Sequence, residues 1–233
     1  GPYVDEANVP AMAITNTNPL VTSTSEYYFR ACFVDTYQGT ALARYAYSGL
    51  KAKKAGIDVT CETAPHYLAG TDDMVQSYSA DTKVNPPLRL TSDQEALIAG
   101  LCDGTIDAIA TDHAPHHRDE KEVEYNSALS GISGFETAFA LCMDALVHAH
   151  HMTMEEFVQV ACTNPAKILG KNCGKLEVGR DADFIIADIA KEWTVDRKEF
   201  VSKGKNTPFD GRTVHGRVLE TYVGGKRIYK YED

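Results

Sequence analysis

The chain has 233 residues, 43% hydrophobic and 24% charged, enough to bury a substantial core as one ordinary domain or as a larger domain with a small appendage. A formal charge of -10 and a pI near 5.3 argue against nucleic acid or an anionic membrane surface as partners, because long-range repulsion would have to be overcome locally. No apolar run approaches the roughly 20 residues that a membrane helix needs, and no basic-then-apolar leader opens the chain. A cytoplasmic protein acting on a small-molecule substrate is therefore expected, with assembly into a homo-oligomer left open.

In chain order, "IDVTCETAPHY" alternates apolar and polar residues from Ile57 and then meets a proline, so it reads as a strand ending near Glu62 or Thr63. His66 follows just past that end. "LTSDQEALIAGLCDG" pairs Ser92 with Glu95 in a capping-box pattern, continues with helical periodicity, and stops at Gly104. "TIDAIAT" is the next expected strand, buried, with Asp112 arriving at its end. "MTMEEFVQVACTNPAKILG" offers a second capping box in Thr153 and Glu156, then Asn164 before Pro165 as a new helix start, with helix running to about Gly170.

The texture then changes. "GKLEVGRDADFIIADI" and "VLETYVGGKRIYKY" are short β-rich runs, and Gly224-Gly225 fits a hairpin turn. Residues 171–233 are read as a β layer separate from residues 1–170. The six cysteines, Cys32, Cys61, Cys102, Cys142, Cys162 and Cys173, are scattered without a C-x-x-C pair and are expected to be reduced packing residues.

Polar residues gathered where strands stop are the signature of a βα-barrel face, and a doubly wound sheet would place its ligand similarly. At such a rim Asp112 supplies a carboxylate that can bind a cation and carry a proton, and His66 supplies an imidazole ligand. Taken alone, each reads rather as a hydrogen-bonded core or rim residue.

Longer motifs carry more. "CETAPHYL" (61–68), "KVNPPLR" (83–89), "ATDHAPHHRDEK" (110–121) and "GISGFETAF" (131–139) resemble, in the same order, the active-site segments of dihydroorotases, which are metal-dependent amidohydrolases. "ITNTNP" (14–19) resembles an earlier segment, and the likeness continues through "NPAKILG", "GRDADFIIAD" and "NTPFDGRTVHG".

The resemblance implies an α/β fold, a TIM-like (β/α) barrel of the amidohydrolase type over residues 1–170, and part of a small β-sandwich over residues 171–233. It implies zinc, one or two ions, and interconversion of dihydroorotate and N-carbamoyl-L-aspartate in pyrimidine biosynthesis. On the same basis Asp112 is the metal-bound catalytic aspartate and His66 a metal ligand. Asn16 and His116 contact the substrate carboxylate, Asn85 meets the ring, and the backbone of Gly134 and Phe135 lies nearby.

His113 and His117 receive no direct role from the resemblance, Arg118 to Lys121 reads as a solvated loop, and His148, His150 and His151 as a surface cluster. Because "ETAPHYL" also resembles allantoinases and dihydropyrimidinases, these remain rivals. A catalytically inactive scaffold is a rival from another class.

The resemblance breaks near the start. Ala7 and Val9 stand where the family carries two metal-binding histidines, His66 is the first histidine of the chain, and Asp35 is the only aspartate between Asn18 and the segment "KAKKAGIDVT". The stretch before residue 171 is also too short for eight βα units, since a full barrel takes about 200 residues or more. Two explanations follow: the chain joins parts of a longer enzyme, or it is a shortened, metal-poor homologue. The intact downstream motifs favour the first.

Overall fold

The structure, a computed structural model, describes residues 11–13, 28–30 and 60–232. The expectations placed on Ala7, Val9, Asn16, Cys32 and Asp35 lie outside the described residues.

Two short parallel pairs come first. β1 (Ala11–Ala13) pairs with β2 (Tyr28–Arg30), and β3 (Glu62–Thr63) pairs with β4 (Ala108–Ile109), in register Glu62 to Ala108 and Thr63 to Ile109. The expected strand end at Glu62 or Thr63 is where β3 stops. Pro65 then opens α1 (Pro65–Ala69), a position where its missing N–H leaves nothing unpaired.

α2 (Thr91–Cys102) corrects one expectation. No capping box forms at Ser92, because the carbonyl of Leu90 already accepts from the amides of Asp93 (2.9 Å) and Gln94 (3.1 Å), so winding begins early and Ser92 falls inside the first turn. Beyond β4 comes a single short turn, α3 (Arg118–Lys121), and then α4 (Phe135–Cys142), which widens into a π turn over Met143–His148. α5 (Met154–Val158) starts on the expected box: the Thr153 side chain accepts from the Glu156 amide while the Glu156 carboxylate accepts from the Thr153 amide at 2.8 Å. α6 (Asn164–Ile168) follows, and the Asn164 side chain donates to the carbonyl of Asp107 (2.7 Å), fastening this helix to the entrance of β4.

The last layer is an antiparallel sheet of β5 (Phe184–Thr194), β6 (Thr213–Val223) and β7 (Lys226–Lys230), in that order. Its hairpin turns at Gly224 (φ 57°) and Gly225 (φ 73°), as the sequence predicts, because two successive left-handed residues match the twist of the flanking strands.

α4 joins the layers. Cys142, Met143 and Leu146 pack with Leu68, Leu101 and Phe157 on one side. Ala140 and Leu141 pack with Val195, Phe200, Phe209 and Val214 on the other, so residues on both sides of position 170 share one buried cluster. Each buried Val, Leu, Met or Phe among them contributes about 1.5–3 kcal/mol through burial. Two arginines add long-range ties: Arg212 donates to the Ala69 carbonyl at the end of α1 (2.7 Å), and Arg197 meets Asp81 (2.7 Å) and Asp210 (2.9 Å).

The fold class is α/β, as expected. Among the described residues the parallel strands form two pairs and the antiparallel layer has three strands, with neither a closed barrel nor a second sheet facing the antiparallel layer.

Candidate active site

The site grows from the paired ends of β3 and β4. The Ala110 amide donates to the Thr63 carbonyl (2.9 Å) and the Asp107 amide to the Cys61 carbonyl (2.9 Å), which holds the two exits side by side. One exit passes into α1 and buries His66 at 2% exposure. The other reaches Asp112, whose φ of 49° is left-handed, a conformation aspartate tolerates better than most residues.

His66 Nε2 lies 3.8 Å from Asp112 Oδ2 and, although buried, has no hydrogen-bond partner among the described residues. Burial pushes the imidazole down to about 4, so the ring is neutral near pH 7 and the pair is a contact between a neutral ring and a carboxyl group rather than a salt bridge. Burial, and then the neighbouring Glu62 carboxylate, push Asp112 above the usual carboxylate range.

Asp112 opens onto a cleft of about 590 Å³, lined also by Glu62, Tyr67, Asn85, Arg89 and the α2 face around Leu97. His66 is absent from the lining; it sits beneath the carboxylate. Tyr67 donates its phenol hydrogen to the Pro86 carbonyl (2.7 Å), next to the cis peptide between Asn85 and Pro86, and so fixes the loop that presents Asn85. Burial and the Asp112 carboxylate raise the Tyr67 phenol, which keeps it a donor. Sequence reasoning missed Glu62 and Tyr67, although both stand inside the "CETAPHYL" segment that signalled the site.

The remaining residues divide. Asn85 and Asp112 share the cleft, whereas His116 lines a neighbouring one of about 840 Å³ together with Arg118, Lys198 and Lys203. The His116 ring is held by the Ser130 carbonyl at Nε2 (2.9 Å), and its Nδ1 lies 3.5 Å from Glu120. The amides of Gly134 and Phe135 are both committed to His113 Nδ1, at 3.0 and 3.2 Å.

His117 caps α3, and His148 Nε2 meets the Ile189 carbonyl of β5 at 2.8 Å. Of the cysteines, Cys142 is buried as expected, whereas Cys102, Cys162 and Cys173 are exposed.

The fit of a metal ion rests on the orphaned His66 Nε2. A neutral imidazole nitrogen and a carboxylate oxygen 3.8 Å apart are spaced as two donors to one ion with bonds near 2.0–2.2 Å would be. They fit as two members of a ligand set. No group of three or more histidine, cysteine, aspartate or glutamate side chains able to hold a metal occurs among the described residues. Among the same residues no helix is long and apolar enough to cross a membrane.

A model of the amidohydrolase family matches residues 40–228. The dihydroorotase of Acetivibrio thermocellus is 51% identical over 179 residues, and that of Ruminiclostridium cellulolyticum 48%, in each case over 77% of this chain and 42% of the relative. The chain thus spans about two fifths of the length of these curated relatives. Among solved structures, the L-hydantoinase (dihydropyrimidinase) from Arthrobacter aurescens superposes with a TM-score of 0.76 at 29% identity, covering 97% of this chain and 46% of that one. The dihydropyrimidinase from Brevibacillus agri gives 0.73 at 23% identity over 79% of this chain and 42% of that one, a likeness of fold.

Proposed function

The chain belongs to the amidohydrolase family, and from that premise we propose that it carries part of the active site of a dihydroorotase, which opens and closes the cyclic amide of dihydroorotate in pyrimidine biosynthesis. One observation carries the reading: the segment about half identical to dihydroorotases is the segment that places Asp112 and Asn85 on one cleft. On this reading the parallel pairs β1–β2 and β3–β4 belong to a TIM-like barrel within residues 1–170, and β5 to β7 belong to a β-sandwich within residues 171–233.

Asp112 is the proton carrier. Its carboxylate, raised by burial, takes a proton from the attacking water and delivers it to the amide nitrogen that leaves on ring opening. Asn85 orients the ring from the facing loop, and Asn16 and His116 are assigned to the substrate carboxylate. His116 reaches it by exchanging its bond to the Ser130 carbonyl. The backbone of Gly134 and Phe135 is assigned a place near the ring. His66 and Asp112 are assigned as two of the metal donors; Ala7 and Val9 stand where two more of the family's ligands would be, so the rest of the set is not supplied by these positions. When bound, zinc supplies the Lewis acidity that polarises the carbonyl and brings the pKa of water down to about 7.

A second reading of His66 has its own observation. Because the ring lies beneath the cleft and is absent from its lining, it supports Asp112 without touching metal. Zinc content separates the two: as a ligand, His66→Ala lowers the zinc bound per chain, and as a support it does not.

The test is turnover of dihydroorotate and N-carbamoyl-L-aspartate by protein of verified mass with zinc added, beside dihydrouracil, hydantoin and allantoin. Faster turnover of any of the last three overturns the substrate assignment. Fewer than one zinc per chain in the full-length protein, with no turnover on adding metal, favours a scaffold.

A further inference from the structure

α4 begins with a deficit. The first amides of any helix have no partner within it, and Gly134, at the cap position, has no side chain to offer. The partner comes from 21 residues upstream: His113 Nδ1 accepts from the amide of Gly134 (3.0 Å) and from that of Phe135 (3.2 Å). The imidazole also lies flat on the Phe135 ring, with centroids 3.7 Å apart and an interplanar angle of 2°. An acceptor at Nδ1 leaves the proton of the neutral ring on Nε2, so both tautomer and ring plane are fixed.

We propose that His113 is a positioning residue: it caps α4 from outside the helix and thereby sets the direction in which Asp112 enters the cleft. The role rests on the proposed part of Asp112 in catalysis. Before Asp112, the chain is pinned where the Ala110 amide meets the Thr63 carbonyl; after it, His113 bridges to Ile132 and the Ala114 amide meets the Ile132 carbonyl at 2.8 Å. Asp112 is left to join two fixed ends, and its left-handed φ of 49° is the turn that does so. The His113 ring locks the second end to the start of α4, which with its π turn contributes buried residues to both hydrophobic clusters. The carboxylate is thereby referenced to the core rather than to a loose loop.

Three variants of the full chain separate this from ordinary packing. In His113→Asn the side-chain oxygen occupies roughly the place of Nδ1, in His113→Gln it reaches toward the place of Nε2, and in His113→Ala no acceptor remains. Amide hydrogen exchange at Gly134 and Phe135 is read by NMR together with the Asp112 ¹³Cα and ¹³Cβ shifts. His113→Ala and His113→Gln are expected to exchange about 5- to 30-fold faster than the unchanged chain at these amides and to move the Asp112 shifts toward extended values, whereas His113→Asn restores both.

Exchange within twofold of the unchanged chain in all three variants overturns the cap, and fast exchange with unmoved Asp112 shifts overturns the positioning. Should His113→Ala not fold, the contrast between Asn and Gln decides alone. Turnover of dihydroorotate is followed in parallel: an inactive chain with the expected exchange pattern removes the catalytic reading and leaves the orientation of Asp112 established.

Discussion

α5 and α4 open with the same unpaired amides and satisfy them in opposite ways. α5 uses residues three apart, Thr153 and Glu156, each capping the other, so the helix carries its own start signal. α4 borrows the ring of His113, and with it a dependence on the loop that carries Asp112. A self-contained cap stabilises one helix; a borrowed cap couples a helix to a site. Scaffold and chemistry are thus separable around α5 and inseparable around α4.

Substitutions can break or sharpen that contrast. The largest effect belongs to the group the coupling serves: Asp112→Asn should lower turnover of dihydroorotate by about 10²- to 10⁴-fold while leaving the thermal midpoint nearly unchanged, measured by steady-state kinetics and calorimetry. Next comes the route by which the loop reaches α4. A methyl group at Gly131, whose φ is 135°, would sit 2.6 Å from Ala114 Cβ and 2.9 Å from His116 Nε2. Gly131→Ala should therefore destabilise the fold by about 2–4 kcal/mol in urea titrations and lower activity with it.

The two caps then compare directly. His113→Ala leaves two amides without an acceptor and should cost about 1–3 kcal/mol, whereas Thr153→Ala should cost about 1 kcal/mol and leave kcat/KM unchanged. Equal kinetic effects from the two would dissolve the contrast.

The smallest effect is one of acid. Burial alone would raise the Glu136 carboxyl at the start of α4, but hydrogen bonds from Ser202 outweigh it and hold the group below its usual range. A lowered folded-state pKa contributes stability that is complete above the unfolded value of about 4.3 and lost as pH falls through the folded value. Glu136→Gln should therefore lower stability slightly at pH 7, flatten its loss between about pH 5 and pH 3, and change little below that range, read by urea titrations across pH.

Legibility followed the same division. The Thr153 box, the Gly224-Gly225 turn and the end of β3 at Thr63 are written in adjacent residues and can be read there. The box at Ser92 was a false signal, because a pattern of side chains does not reveal that the Leu90 carbonyl has already begun the helix. At the site, the motifs bring Asp112 and Asn85 to one cleft and His66 beneath it, but the direction of a side chain is set by partners distant in sequence. His116 turns toward the Ser130 carbonyl and the adjacent cleft, and His113, left without a role by its motif, caps a helix that no local pattern connects to it.

The bond from Arg212 to the Ala69 carbonyl has a consequence for the order of events in the cell. It spans 143 residues, and the pair of Arg197 with Asp81 spans 116, so these two ties, one to the end of α1, which carries His66, and one to the segment after it, form only once Arg212 and Arg197 have been synthesised. Contacts of such separation form late, since long loops must close before they are rewarded. On a ribosome, the residues that line the cleft, all between Glu62 and Asp112, would emerge well before the two arginines that tie their surroundings to the antiparallel layer.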